Sequence, residues 1–238
     1  MQTTILTERS GQRLPFVGRS LEAGQLRRLH SRRKHALILG PAGVGKSALV
    51  TQLAETLSFI LCPQSQTLSE ICSSLEIQLD PTAPQLPLVR RKNHLLQILT
   101  QSRRTVVFDS VSWTTPKISS FLESAMERAT LWICARSERA GDIGHFWPLL
   151  ARFETVELRP FHPAETRALL KLAVEYRQLP VFIEAFAKQL HRLSGGLPRT
   201  LCELLDQFAA GHYDLSRRAI WQLIETDRRI RNLPPLTV

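Results

Sequence analysis

One segment of this sequence constrains the fold more than any other. Residues 40–47 read Gly-Pro-Ala-Gly-Val-Gly-Lys-Ser and match the pattern G-x-x-x-x-G-K-S at every fixed position. A short apolar run at residues 35–39 precedes this segment, and residues 48–57 carry apolar side chains at helical spacing. A strand, a glycine-rich loop and a helix in this order predict an α/β protein of the P-loop NTPase class, with a parallel sheet flanked by helices.

The same loop predicts a phosphate site. Its glycines allow backbone N–H groups to turn around a phosphate chain, and the following helix adds the positive end of its dipole. Lys46 can reach the β- and γ-phosphates, and the Ser47 hydroxyl can ligate Mg²⁺. The alternative is a glycine turn that merely opens a helix and leaves Lys46 in solvent. The predicted binding residues are Gly40, Pro41, Ala42, Gly43, Val44, Gly45, Lys46, Ser47 and Ala48.

An aspartate at the end of a later strand supports this interpretation. Residues 104–109 read Arg-Thr-Val-Val-Phe-Asp and follow a segment with helical spacing. An apolar strand that ends in an aspartate downstream of a P-loop resembles the Walker B motif. The resemblance implies that Asp109 holds Mg²⁺, usually through a water, with Ser47 on the other side. The alternative is an aspartate that caps the next loop.

The segment before the P-loop narrows the resemblance further. Residues 16–19 read Phe-Val-Gly-Arg, and a glutamate and a leucine-spaced helix follow. A segment of this kind shortly before a P-loop resembles the start of AAA+ and STAND ATPases. The resemblance implies that ATP is the nucleotide and that Phe16, Val17 and Gly18 line the adenine pocket. The alternative is a hydrophobic staple and cap for the next helix.

Three arginines occupy positions at which this resemblance implies a role near the γ-phosphate. Arg136 ends the predicted strand at residues 131–136 and resembles sensor 1, with Ser137 as the second choice. Arg152 precedes the last predicted strand, where AAA+ proteins often carry a finger that reaches a neighbour's nucleotide. Arg199 follows Gly-Gly-Leu-Pro and resembles the arginine of sensor 2. Each of the three can alternatively be an ordinary surface arginine.

The residue after the Walker B aspartate departs from the family pattern. Hydrolytic members usually carry an acid there, which activates the attacking water, whereas this chain has Ser110. A serine is a poor base at neutral pH. We therefore expect ATP binding with slow hydrolysis.

The charge of the chain favours a polyanionic partner. The formal net charge is +10 and the sequence pI is about 10.2, which points to nucleic acid, DNA above all. Solvated helix ends would carry the same charges, and this alternative stays open. The basic clusters lie at residues 27–28, 32–34, 90–92, 103–104, 217–218 and 228–231.

Several common protein classes do not fit this sequence. No apolar run approaches the roughly 18–20 residues of a membrane span, and the first residues lack the apolar core of a signal peptide. The four cysteines are scattered, so we expect reduced core thiols rather than metal ligands. These features predict a cytoplasmic protein that does not bind membranes.

We predict two domains, a nucleotide-binding domain at residues 1–160 and a small all-helical lid with a short basic tail at residues 161–238. We expect no added receptor, protease or repeat domain. The resemblance therefore implies an ATP-dependent switch like the helpers of DNA transposition, which assemble on DNA as oligomers and engage a recombinase. A STAND-like regulatory module that binds a protein partner is the alternative, and a P-loop kinase is a third. The helices of the second domain are expected near residues 163–177, 180–193, 198–210 and 215–230.

Overall fold

The architecture is taken from a computed structural model of the chain. The structure describes residues 14, 16–63, 67–82, 84, 86–102, 104–213 and 220–231. These residues form two compact units, which are described separately. One unit spans residues 18–159, and the other joins residues 160 onward with the residues that precede Gly18.

The first unit is built on a sheet of five parallel strands, which confirms the predicted fold class. Their order across the sheet is β2-β3-β4-β1-β5. The strand that leads into the glycine loop, β1, lies between β4 and β5, and its register pairs Ile38 with Cys134 and Val156. The strands are β1 (Ala36–Leu39), β2 (Phe59–Cys62), β3 (Thr105–Phe108), β4 (Thr130–Ala135) and β5 (Glu154–Glu157).

The burial of each strand follows from its place in the sheet. All residues of β3 and β4 are buried, because helices cover both faces of a parallel sheet and leave no polar side. At one edge, β5 buries only Val156 and exposes Glu154, Thr155 and Glu157. Charged side chains on an edge strand disfavour pairing with a further strand.

Helices follow the strands in the order that the apolar spacing predicts. Two of the helix starts carry side-chain caps: the Thr67 hydroxyl accepts from the Glu70 N–H in a capping box, and Thr115 caps the helix that begins at Pro116. Residues 140–152, between β4 and β5, contain a short helix and a 3₁₀ turn at Trp147–Arg152. The helices are α1 (Ser20–Ser31), α2 (Lys46–Ala54), α3 (Leu68–Leu79), α4 (Leu88–Ser102), α5 (Pro116–Met126) and α6 (Ala140–Ile143).

Every element that the structure describes in the second unit is a helix or a 3₁₀ turn. One prediction needs correction, because the expected helix at residues 180–193 begins as a 3₁₀ turn at Val181–Phe186 before α8. Pro180 precedes this turn, and the Ile183 N–H donates to the Pro180 carbonyl, an i→i+3 bond that brings Ile183 and Phe186 to one side. The helices are α7 (Pro163–Tyr176), α8 (Ala187–Ser194), α9 (Pro198–Ala209) and α10 (Ile220–Arg231).

The core of the helical unit includes residues from before the P-loop. Leu14 is fully buried in this core, and Val17 packs against it. An ion pair of 2.8 Å joins Arg177 on the loop after α7 to Asp206 on α9. Within the described ranges, no helix has the length and apolar character that crossing a membrane requires.

Candidate functional site

The glycine loop follows β1 and approaches the end of β5 closely. The Leu158 N–H donates to the Leu39 carbonyl at 2.7 Å, which holds the two chain segments together where the loop begins. A Cβ at Gly40 would collide with the Leu158 carbonyl oxygen and lie 2.9 Å from a methyl group of Val44. Glycine is therefore required at position 40 by the close approach of two backbones.

The predicted binding residues 40–48 form one loop and the first turn of α2. Val44 is buried and anchors the loop, whereas Pro41, Ala42 and Ser47 are exposed. Gly43 and Gly45 have positive φ angles of 79° and 102°. A loop of this kind directs successive N–H groups toward one point, and the N-terminus of α2 adds its unpaired amides.

The Lys46 side chain is folded onto this loop. Its Nζ donates to the carbonyl oxygens of Gly40 at 2.6 Å and Pro41 at 3.1 Å. Burial lowers the pKa of Lys46, while the nearby Asp109 acts to raise it and Arg136 acts to lower it. An ammonium has three donors, so this geometry accommodates a phosphate oxygen as a further acceptor.

Asp109 comes directly after β3, one strand away from β1. The intervening strand is β4, whose Cys134 is paired with Ile38. The backbone of this turn is fixed by two bonds, from the Asp109 N–H to the Cys62 carbonyl at 2.9 Å and from the Val111 N–H to the Cys134 carbonyl at 2.8 Å. The carboxyl ends of parallel strands thus bring Asp109 to the same edge as the P-loop.

Cys134 has a place in this site that the sequence did not reveal. Burial raises the pKa of the Cys134 thiol well above its ordinary value, and the Asp109 carboxylate raises it further. The thiol is therefore neutral at ordinary pH, and it lies close enough to Asp109 and Lys46 for both charges to act on its pKa. A scattered cysteine in an apolar strand gives no sign of such a position, because only the strand order places β4 there.

Ser47 and Asp109 offer the kind of donors that Mg²⁺ prefers. The Ser47 hydroxyl is exposed at the start of α2, and Asp109 is half-buried. Mg²⁺ is commonly bound through one or two protein oxygens together with waters and substrate phosphates. The donor chemistry of these two residues fits the ion.

Ser110 stands in an unusual backbone conformation. Its φ angle is +58°, which is uncommon for a residue other than glycine, and its Oγ lies 3.5 Å from Oδ1 of Asp109. Position 110 is therefore next to the predicted metal-binding carboxylate but carries no ionisable group.

Arg136 follows β4 and is exposed at the P-loop edge of the sheet. Its charge lowers the pKa of Lys46, so the two cations lie near one another. Ser137, the second choice for this role, has its hydroxyl bonded to the Asp142 carboxylate. Of the two, Arg136 has the side chain that is exposed at this edge.

Arg152 lies at the amino ends of the strands, on the side of the sheet opposite the P-loop. It ends the 3₁₀ turn before β5 and forms an exposed ion pair with Glu127 at 3.1 Å. A four-residue strand spans roughly 13 Å at about 3.3 Å per residue, so Arg152 is remote from the P-loop of its own chain. The sequence-based role for Arg152 was contact with a neighbouring chain, and this location is compatible with that role.

A cavity of about 430 Å³ opens near Arg152, lined in part by Arg33, His35, Glu127 and Arg128. Burial lowers the pKa of His35, and the charge of Arg152 lowers it further. The His35 Nδ1 accepts a hydrogen bond of 3.0 Å from the Leu131 N–H, which requires that this nitrogen be unprotonated. Arginines and a neutral histidine thus contribute much of this lining.

The remaining predicted residues belong to the helical unit or lead into the sheet unit. Arg199 lies in the first turn of α9, is exposed and forms an ion pair of 3.0 Å with Glu203. Val17 packs against the helical core, Phe16 is half-buried, and Gly18 is exposed with a φ angle of 74°.

Arg19, the fourth residue of Phe-Val-Gly-Arg, has a role that the sequence reasoning missed. It is only 5% exposed, and its Nη2 donates to the carbonyl oxygens of Val44 at 3.1 Å and Arg159 at 2.6 Å. Its Nη1 forms an ion pair with Glu22 at 3.1 Å. One buried guanidinium therefore joins the P-loop, the end of β5 and α1. The clue that the sequence offered was the place of Arg19 in the Phe-Val-Gly-Arg segment.

Comparisons with known proteins agree with this fold. Residues 27–133 match a family model described as an AAA domain. The structure is similar to Cdc6p of Pyrobaculum aerophilum, with a TM-score of 0.65, 15% identity and coverage of 86% of this chain and 64% of that chain. No curated protein matches the chain significantly by sequence.

Two further structures resemble the chain. The Holliday junction branch migration motor RuvB of Thermotoga maritima has a TM-score of 0.58, 19% identity and coverage of 89% of this chain and 70% of that chain. A STAND protein with a tetratricopeptide repeat sensor, from Pyrococcus horikoshii, has a TM-score of 0.53, 18% identity and coverage of 92% of this chain and 33% of that chain. At these identities the similarity establishes the fold.

The hydrogen bonds of Arg19 give a stability prediction. Arg19→Ala removes bonds from a charged donor to two backbone carbonyls, and each such bond contributes about 1.5–3 kcal/mol. We expect the free energy of unfolding to fall by at least about 2 kcal/mol, measured by urea unfolding. The control is Arg159→Ala, whose side chain is 79% exposed and pairs with Glu157, and which should cost less than about 1 kcal/mol. Equal, small losses in both variants would contradict the role of Arg19.

Proposed function

Because this chain has the fold of an AAA+ P-loop ATPase, we propose that it is an ATP-dependent switch that acts on DNA. The observation that carries the nucleotide part is the arrangement at the P-loop edge. There a buried Lys46 is folded onto the glycine loop, with Asp109 and Arg136 close enough to shift its pKa.

In this proposal, residues 40–48 bind the phosphates of ATP. The amides of the loop and of the first turn of α2 donate to phosphate oxygens, and Lys46 supplies the charge. Ser47 and Asp109 would hold Mg²⁺, which would shield the phosphate charge. Cys134 donates its S–H to Asp109 and keeps that carboxylate oriented toward the metal.

The switch is proposed to turn over slowly. With Mg²⁺ bound, Asp109 would be engaged with the metal and with Cys134, so it would be poorly suited to take a proton from water. Ser110 cannot act as a base at neutral pH, and a positioned base typically contributes about 10²–10⁴-fold. Chain assembly is proposed to add Arg152, since its exposed location at the far edge of the sheet suits contact with the nucleotide of a second copy.

The helical unit is proposed to respond to the phosphate state. Arg199 would exchange Glu203 for the β- or γ-phosphate, and Phe16, Val17 and Gly18 would contact the adenine. Val17 packs against the helical core, so a change in its contact with the adenine would alter the packing of that core. A nucleotide held in this way can couple hydrolysis to a change in conformation.

DNA is the proposed partner because the chain is strongly basic. Arg27, Arg28, Arg32, Arg33 and Lys34 are all exposed at the end of α1 and just after it. The side chains of residues 228–231 and of Arg103 lie outside the described part of the structure. One structural neighbour is a Holliday junction branch migration motor. We further propose self-association and action on a recombinase, as in DNA transposition.

A second candidate is supported by one specific observation. The structural similarity to a STAND protein with a repeat sensor extends over 92% of this chain and 33% of that chain. In this alternative, the same ATP switch regulates a protein partner and has no DNA contact. DNA binding and its salt dependence separate the two candidates.

The first prediction concerns nucleotide affinity. Lys46→Ala removes the main positive charge from the phosphates and should weaken ATP binding at least about tenfold, or about 1.4 kcal/mol. Isothermal titration with Mg²⁺ and ATP measures the change. The control is Lys171→Ala, an exposed lysine on α7. If a folded Lys46→Ala variant bound ATP as the parent does, the loop would not be the phosphate site.

Turnover gives the second prediction. The parent should release phosphate slowly, and Ser110→Glu should accelerate release at least about tenfold by restoring a base. Ser110→Gln is the matched control, because it has the same size and the same left-handed backbone but no basic group. Rapid release from the parent alone, or equal rates in both variants, would contradict the assignment.

Salt dependence gives the third prediction. The parent should bind DNA, with an affinity that falls steeply as salt rises. Arg27→Gln with Arg28→Gln should reduce the slope of log affinity against log salt by about one for each phosphate that these arginines neutralise in the parent. Arg167→Gln with Lys171→Gln, an equal charge change on α7, is the control. A parent that binds no DNA at low salt would favour the protein-regulating alternative.

A further inference from the structure

Two of the four tryptophans are exposed on neighbouring loops at the P-loop edge of the sheet. Trp113 is 72% exposed on the loop between β3 and α5, and Trp147 is 48% exposed at the start of the 3₁₀ turn that follows α6. Trp132, by contrast, is fully buried. Tryptophan is a large apolar residue, and its exposure forgoes a substantial stabilisation from burial.

The loops that carry these tryptophans are joined by their backbones. The Trp113 N–H donates to the Asp142 carbonyl at 2.8 Å, and the Thr114 N–H donates to the Ile143 carbonyl at 2.8 Å. Thr114 and Gly144 form an isolated parallel bridge. The two exposed indoles are therefore attached to one fixed structure rather than to two independent loops.

Side-chain contacts fix this junction further. The buried Thr114 hydroxyl donates to the Ile143 carbonyl at 2.5 Å and accepts from the Phe146 N–H at 2.9 Å. A Cβ at Gly144 would lie 2.6 Å from the Thr114 carbonyl oxygen. The close approach of the loops thus requires glycine at position 144.

The backbone of Trp113 is strained. Its φ angle is +47°, in the left-handed region that a bulky side chain rarely adopts. Strain of this kind costs about 1–3 kcal/mol and is concentrated at ligand-binding and active sites. Trp113 therefore bears both the cost of strain and the cost of exposure. Packing within the described residues explains neither.

The orientation of Trp147 is also fixed. Its indole N–H donates to the Glu138 carbonyl at 2.9 Å, so the polar edge of the ring is already engaged. What Trp147 offers to a partner is the flat face of the indole. Flat aromatic faces stack on nucleic acid bases of any sequence, because every base has a π-face.

Cations flank the two tryptophans. Lys117, in the first turn of α5, and Arg139, just before α6, are exposed. The Ser119 hydroxyl donates to the His145 carbonyl at 3.1 Å, which keeps the start of α5 against the loop that carries Trp147. Two acids lie nearby: Asp142 accepts a bond from Ser137, and Glu138 is exposed beside Arg139. Aromatic faces with adjacent cations suit a strand of nucleic acid.

We propose that Trp113 and Trp147 form a stacking site for unpaired bases of a nucleic acid strand, flanked by Lys117 and Arg139 as phosphate contacts. This inference rests on the proposed action on DNA and assigns it a base contact distinct from the basic cluster near α1. The site begins four residues after Asp109 in the loop that follows β3, so its occupancy and the metal-binding carboxylate share one short segment.

The test compares a labelled single strand with a duplex of the same sequence. Trp113→Ala should lower the affinity for the single strand at least about fivefold, since stacking contributes about 1–3 kcal/mol per base. Trp113→Phe should retain most of the affinity. The loss should be smaller for the duplex, and the slope against salt should stay as in the parent, because the substitution leaves every phosphate-binding cation in place. Trp147→Ala should behave in the same way.

The outcomes distinguish this site from the wider proposal. If the parent binds DNA and both alanine variants bind as tightly, the stacking site is wrong while the action on DNA stands. Equal losses for the single strand and the duplex would overturn the assignment to unpaired bases. Unchanged DNA binding with a loss of self-association in light scattering would make the patch a protein interface and overturn the proposal. No DNA binding by the parent would overturn both.

Discussion

The candidate phosphate site depends on one buried cation. Arg19 binds the carbonyl of Val44 within the glycine loop and the carbonyl of Arg159 beyond β5, and it pairs with Glu22 on α1. Burial of a charge is unfavourable unless hydrogen bonds satisfy it, so the guanidinium holds these segments in one arrangement. The loop in turn brings Gly40 against Leu158 and folds Lys46 over its own carbonyls. The position of the predicted phosphate-binding groups is therefore set by contacts outside the motif.

The parallel sheet keeps two groups of charged side chains apart, one at the carboxyl ends of its strands and one at the amino ends. At the carboxyl ends of the strands lie Lys46, Asp109 and Arg136, and the charges of the latter two act on the pKa of Lys46. At the amino ends lie Arg152 and the cavity lined by Arg33 and Arg128. A single chain cannot bring these edges together, because the strands hold them apart. The proposal of action between copies follows from this separation, whereas the proposed stacking site uses the loops of the first edge.

Two backbone outliers lie in the loop that follows β3. Ser110 and Trp113 both have positive φ angles, in a segment that begins at the predicted metal ligand and ends at an exposed indole. Strain in a short segment persists only where the surroundings fix it, here through bonds from Val111 to Cys134 and from Trp113 to Asp142. In this loop the proposed nucleotide chemistry and the proposed partner contact are therefore only a few residues apart.

The sequence by itself determined the elements and the glycine loop. Apolar runs and helical spacing are local properties, so the strand–loop–helix at residues 36–54 and the strands that end just before Asp109 and Arg136 could be predicted and are confirmed. It missed the 3₁₀ turn at Val181–Phe186, since helical spacing alone does not separate the two helix types. The tertiary structure decided what depends on residues distant in sequence. The strand order put Cys134 beside Asp109, the fold buried Arg19 against the P-loop, and the bridge between Thr114 and Gly144 joined two exposed tryptophans. No local pattern encodes these neighbours, because they arise only when the strands are arranged side by side.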